Sequence, residues 1–237
     1  MPMLKQLLWR RFILSAAVVC ALSVPVTAAQ AAPVPVTYSF AGNLDNDPMS
    51  KYSIAGSFTF DKATTGSGGA YNGAVTDVTF NLSHEGVLIY TSTFIPGANA
   101  VTVSKDMPLL FGGTVDRWAM VSAVTSNELL TQGMPPVDYA PYSLDLRFNR
   151  MGGGLFADTS LQDPPSLASL GIPGGQGSAR WRLFFEDAAE NPVAFVGSIT
   201  SLTAVPLPAG VVLFGIGLIS LVGLGAGGLR NLCGSRA

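Results

Sequence analysis

The chain has 237 residues, 48% hydrophobic and 12% charged, with 13 Lys and Arg against 15 Asp and Glu, one His and two Cys. The cysteines, Cys20 and Cys233, lie near the two ends, so residues 32–204 have none, which excludes disulfides and thiol catalysis there; a single histidine excludes zinc sites built on several His or Cys. The same stretch holds eight Lys or Arg and all fifteen Asp and Glu, a net charge of −7, and an acidic surface argues against nucleic acid and anionic lipid, which demand a basic footprint.

Lys5, Arg10 and Arg11 precede an apolar stretch from Phe12 to Val26, followed by Ala28, Ala29, Gln30, Ala31 and Ala32. This is the three-part layout of a secretory signal peptide over residues 1–31. Cleavage after Ala31 satisfies the small-x-small rule through Ala29 and Ala31; cleavage after Ala28 is the alternative. The expected partners are the Sec translocon and a signal peptidase. A twin-arginine route is disfavoured because Trp9 replaces the usual Ser or Thr, and lipidation of Cys20 because Val19 stands where a small residue is expected. The exported stretch, residues 32–204, has the length of one domain, able to bury roughly 70% of the surface that its unfolded chain exposes.

Short alternating runs separated by Gly, Pro, Asn and Asp follow, the pattern of an all-β domain. Val36 to Phe40 opens it. In Tyr52 to Phe60, Tyr52, Ile54, Phe58 and Phe60 share one face and Ser53, Ala55, Ser57 and Thr59 the other. Val78, Phe80 and Leu82 repeat the alternation, and His84-Glu85-Gly86 turns the chain into Val87 to Phe94. Further runs are Val101 to Ser104, Trp118 to Val124, Tyr142 to Phe148, Arg180 to Phe185 and Val193 to Leu202. Nine strands with polar outer faces and no long amphipathic helix predict an antiparallel two-sheet sandwich of jelly-roll type, with a closed barrel as the alternative. Residues 149–178 carry Gly152-Gly153-Gly154, Pro164-Pro165 and Gly174-Gly175 with little strand pattern, and a loop that long is usually functional or mobile.

Candidate chemistry within the domain is sparse. Asn43, Asp45 and Asp47 space three oxygen side chains as the start of an EF-hand loop does, but Pro48 and Ile54 replace the Gly and Glu that the loop needs; a looser Ca²⁺ site is the candidate cofactor site, against a plain Asx-rich turn. His84 reads as a solvated turn residue, since no Gly-x-Ser-x-Gly elbow is present. Glu186, Asp187 and Glu190 suggest paired glycosidase carboxylates, but they cluster in a hairpin connection. Trp118 and Trp181 are candidates for carbohydrate contact, because aromatic faces suit sugar rings, although on alternating strands such residues are more often core. The domain is therefore expected to be non-enzymatic.

The chain closes with Val205-Pro206-Leu207-Pro208-Ala209-Gly210, a 19-residue apolar run from Val211 to Leu229, then Arg230 and Arg236. As a helix the run spans roughly 28 Å, close to the ~30 Å hydrocarbon core of a bilayer. The two arginines act as a cytoplasmic stop by the positive-inside rule, which puts the domain outside. Pro206 and Pro208 lack backbone donors and push Val205 and Leu207 toward extended conformations, which a protease needs. Gly223 and Gly227, at GxxxG spacing among seven glycines from Gly210 to Gly228, make the helix easy to distort. A plain C-terminal anchor is the alternative reading.

This order of Pro motif, Gly-rich transmembrane helix and basic stub resembles the PEP-CTERM class of bacterial sorting signals in its VPLPA-CTERM variant, over about the last seventh of the chain. The resemblance implies a Gram-negative-type bacterium in which an exosortase, a membrane-embedded cysteine protease and transpeptidase, recognises Val205 to Ala209 and removes the helix. It also implies a setting in the exopolysaccharide matrix or biofilm, and passage through the inner membrane before processing. Gly56-Ser57-Phe58-Thr59-Phe60-Asp61 and Tyr71-Asn72-Gly73-Ala74-Val75-Thr76-Asp77 are similar to the β-rich ectodomains often joined to such tails, which carry no implied activity.

Overall fold

Alternation gives each strand one face that must leave water, and antiparallel pairing gathers those faces into a common core. A computed structural model of the chain describes residues 32–46, 51–126, 129–132, 136–172 and 174–206. The expected signal peptide with Ala29 and Ala31, Asp47 of the candidate Ca²⁺ site, and the tail residues Leu207, Pro208, Ala209, Gly210, Arg230 and Arg236 lie outside the described residues.

The described residues are all-β and antiparallel, without a helix: β1 (Pro35–Leu44), β2 (Tyr52–Asp61), β3 (Ala70–Asn72), β4 (Val75–His84), β5 (Val87–Phe94), β6 (Ala100–Pro108), β7 (Thr114–Thr125), β8 (Leu130–Gln132), β9 (Val137–Met151), β10 (Gly177–Glu186) and β11 (Pro192–Val205). Eight of them form a ring in the order β1, β2, β4, β5, β7, β9, β10, β11, with β11 returning to β1. The expected two-sheet sandwich is thus corrected to a closed eight-stranded barrel with three extra strands. Period-2 alternation says that one face is wet and the other dry; it does not say whether the dry face covers a second sheet or its own far wall. Closure is decided at β7. One edge pairs with β9 from Val115↔Met151 to Ala123↔Ser143, and the other is shared between β5 at Thr125 and Val124 and β6 from Val121 to Thr114. β3 extends β6, and β8 pairs with the start of β9. Bulges at Ala41/Gly42, Thr59/Phe60, Leu82/Ser83 and Phe184/Phe185 supply the local bends that let the sheet coil.

Side chains fill the interior. Trp118 sits among Phe58, Phe60 and Phe148 with ring centroids 5.9, 5.9 and 5.7 Å away, distances at which aromatic pairs attract beyond their buried area. Phe80, Tyr90 and Phe185 continue the core toward the opposite end. Trp181 packs where β1 and β11 offer no side chain: a Cβ built on Gly42 would stand 2.8 Å from its ring, and one on Gly197 would overlap it. Its indole Nε1 donates to the Asn43 carbonyl at 3.2 Å.

Antiparallel registers fix what lies at each end. Pro35↔Asp61, Thr37↔Val205, Val115↔Met151 and Arg150↔Gly177 place the start of β1, the end of β11, the β6–β7 hairpin tip and the long segment 152–176 at one end. That segment, expected as a long loop with little strand pattern, packs as a plug: Phe156 and Leu170 are buried, and Leu155, Leu161, Leu167 and Ile172 pack against the core. The other end carries the turns at His84–Val87 and Glu186–Pro192.

Candidate functional site

The plug is tied to the barrel by polar side chains that alternation points inward. Asp116, on the inner face of β7, is fully buried and accepts hydrogen bonds from the backbone amides of Asp106, Leu155 and Phe156 at 2.6, 2.7 and 3.2 Å. Burial pushes its carboxyl up, but these amides, with Lys105 nearby, outweigh burial and hold it below the usual carboxylate range. Around it, the Trp118 indole donates to the Gln162 carbonyl at 2.9 Å, the Tyr71 hydroxyl to the Thr159 carbonyl at 2.7 Å, and the Lys105 ammonium to the Ala157 carbonyl at 2.8 Å. Lys62 pairs with Asp163 at 2.8 Å. Burial, with Asp163 close by, pushes the Tyr38 hydroxyl up to about 12.

Both tryptophans singled out for carbohydrate contact are 0% exposed. This corrects the stacking platform: Trp118 anchors the plug and Trp181 fills the glycine cradle, and neither offers a ring face to a ligand.

β7, β9 and β10 carry all five arginines of residues 32–206, and four of them, Arg117, Arg147, Arg180 and Arg182, are at outward positions. On the outward positions Asp145, itself 3% exposed, is clamped between two of them. Arg147 approaches with Nε at 3.0 Å and Nη2 at 2.8 Å, and Arg182 with Nε at 3.1 Å and a short contact from Nη2. Arg182 also lies over the Phe184 ring, 5.3 Å from its centroid. A third guanidinium, Arg117, has no carboxylate within ion-pair distance among the described residues. Its Nε donates to Asn149 at 2.8 Å, and Asn149 in turn to Ser178 at 3.3 Å. Burial pushes the Arg117 pKa down and the charges of Arg147 and Arg182 add to that, with Asp145 opposing. Two guanidiniums thus share one carboxylate, with a third nearby that has no carboxylate of its own, on a domain that is acidic overall. Beside Arg117 a cleft of about 300 Å³ is lined by Asn149, Ser178 and Gln176 on its polar side and by Leu109, Val115 and Met151 on its apolar side. The free fork of Arg117 matches the geometry of a carboxylate.

Other candidates resolve into local structure. Asp45 pairs with Arg180 at 2.9 Å and accepts from the Ser198 hydroxyl at 2.7 Å, and Asn43 uses its backbone carbonyl for Trp181. Among the described residues no group of three or more His, Cys, Asp or Glu is arranged to hold a metal ion. The His84 ring lies against Tyr52 with centroids 4.3 Å apart, next to the Lys51–Glu85 ion pair. Asp187 accepts from the amides of Ala189 and Asn191 at 2.8 and 2.9 Å, the geometry of an Asx turn. Val205 ends β11 in register with Thr37, and Pro206 follows outside the strand.

Sequence reasoning missed the plug, the Asp145 clamp and the hairpin tip. The tip was the most readable: Leu109-Leu110-Phe111-Gly112-Gly113 is apolar where a turn is ordinarily polar. Comparison with protein families, with curated proteins and with solved structures returns no match.

Asp116→Ala removes one acceptor from three amides, and at about 1–3 kcal/mol for each buried group left unpaired the plug should detach. Faster proteolysis within residues 152–176 and a lower urea midpoint are expected. Because the folded pKa of Asp116 is depressed, its stabilisation is complete above the unfolded carboxylate value of about 3.9 and is lost as pH falls through the lower folded value. The acid limb of urea midpoint against pH should flatten in the variant; an unchanged limb and unchanged proteolysis would contradict this role.

Proposed function

We propose that the chain is an exported, non-enzymatic protein of the cell envelope, carried by the Sec translocon, trimmed by signal peptidase after residue 31, and sorted by an exosortase at Val205 to Gly210. Its destination in this reading is the cell surface or extracellular exopolysaccharide matrix of a Gram-negative-type bacterium. The C-terminal helix anchors it in the inner membrane until processing. The observation that carries the reading is the end of β11: Val205, the first residue of the Pro-containing motif, is the last residue of the strand, and Pro206 follows outside it. A Pro-rich extended segment between a stable barrel and an apolar helix is what a membrane-embedded protease can engage without unfolding its substrate.

A carbohydrate-binding role is the second reading, and it does not rest on the buried tryptophans. It rests on the Arg117 cleft, where a free guanidinium fork, amide and hydroxyl groups, and an apolar wall suit a carboxylated sugar.

The double variant Pro206→Ala, Pro208→Ala should accumulate in the membrane unprocessed in its native host, detected by mobility and by an antibody to residues 211–237. Unchanged processing would remove the exosortase reading and leave a plain anchor. For the second reading, Arg117→Gln should weaken binding of oligogalacturonate by about tenfold or more in calorimetry, the loss of one charge-assisted contact. Equal affinities, or no binding by either protein, would contradict it.

A further inference from the structure

The β6–β7 hairpin ends in the most exposed large apolar side chains of the described residues: Leu110 is 91% and Phe111 97% exposed. They are not loose coil. The Leu109 amide donates to the Gly113 carbonyl at 3.0 Å and the Gly112 amide to the Leu109 carbonyl at 3.1 Å, so the strands present the pair on a closed turn. Gly112 and Gly113, with φ of 91° and 84°, take the left-handed conformations that make the turn. Two adjacent bulky apolar residues held fully in water mark a contact surface.

What they contact is indicated by where the chain leaves the domain. The end of β11 at Val205 is at the same barrel end as this tip, three strands around the ring from β7, with Val34 and Met151 also exposed there. From Val205 to the first residue of the apolar run, Val211, there are six peptide steps. At most ~3.6 Å each, they span about 20 Å. If the run is in a bilayer, the plugged end of the barrel is held within that distance of its surface.

We propose that Leu110 and Phe111 insert into the outer face of the membrane that holds the tail, seating the plugged end of the barrel on the bilayer. The proposal rests on the membrane reading of residues 211–229 given above. The Leu110 and Phe111 amides have no backbone partner across the turn, so insertion stops at the interface, where water and headgroups remain to bond them. Charge does not drive it: Lys62 is paired with Asp163, and Lys105 lies beside Asp158. The seat keeps Val205 to Gly210 at the depth where a membrane-embedded protease works.

The test uses the full chain with Cys20→Ser and Cys233→Ser, reconstituted in phosphatidylcholine vesicles and carrying one environment-sensitive fluorophore at Leu110→Cys, Ala188→Cys or Leu218→Cys. Ala188 is on the far turn, and Leu218 is within the apolar run. Lipid-borne quenchers should quench the Leu110 and Leu218 labels several-fold and leave the Ala188 label unaffected. Adding phosphatidylglycerol should change nothing, and Phe111→Asp should return the Leu110 label to the solvent level. A quenched Leu218 label with an unquenched Leu110 label overturns the seat and spares the tail. An unquenched Leu218 label overturns both. A Leu110 label that is shielded from water yet not quenched by lipid means that a second copy or another protein covers the tip, which also overturns the proposal.

Discussion

Everything in the domain is organised by β7, the strand at which the sheet closes on itself. A β-sheet of this size must either cover its dry face with another layer or coil until it covers itself, and closure has the added effect of leaving few bare edges. β7 satisfies β9 along one edge while its other edge is divided between β5 and β6. The division matters, because β5 leaves β7 after two residue pairs and β6 takes over. The same strand carries Trp118 at the centre of the aromatic core, Asp116 under the plug and Arg117 on the outer wall. Side-chain alternation sends the first two inward and the third outward.

Asp116 shows how the closed barrel ends. A packed core reaching the mouth of a barrel must be capped, and the cap here is a Gly- and Pro-rich segment with few ladder partners of its own. Buried amides in such a segment need acceptors. A carboxylate supplies acceptors for several, and its charge is supported by the same amides that it satisfies. The outer wall obeys the complementary rule: Asp145 is buried by its own guanidinium partners, and the clamp holds because both are present. Arg117, outside the clamp, retains unspent hydrogen-bonding capacity beside a cleft.

The strands were legible because alternation is local. The runs from Tyr52 to Phe60 and from Val87 to Phe94 differ little from the observed β2 and β5. β3 and β8, of three residues each, were too short to show a period. Closure was illegible because it depends on which strand follows which around the ring, and β7 meets β9 across a separation that no local pattern encodes. The same ignorance of register hid the site: Asp145 and Arg147 share a face by sequence, but that Arg182 stands directly opposite Asp145 is a property of the β9–β10 pairing. The plug looked like an open loop because its buried residues, Phe156 and Leu170, have no periodic neighbours. The tryptophans had two readings on one pattern, and only the surrounding rings and glycines decide for the core.

The fold and the tail meet at Val205, where a rigid barrel passes into a motif read as a sorting signal. The measurement that tests this account most directly is the intact mass of the protein recovered from the membrane and extracellular fractions of its native host. The account predicts an extracellular species lacking both residues 1–31 and the apolar run 211–229, alongside a membrane precursor that retains the run. A single membrane-bound species retaining residues 211–237, with nothing released, would contradict it and make the chain a barrel on a permanent anchor.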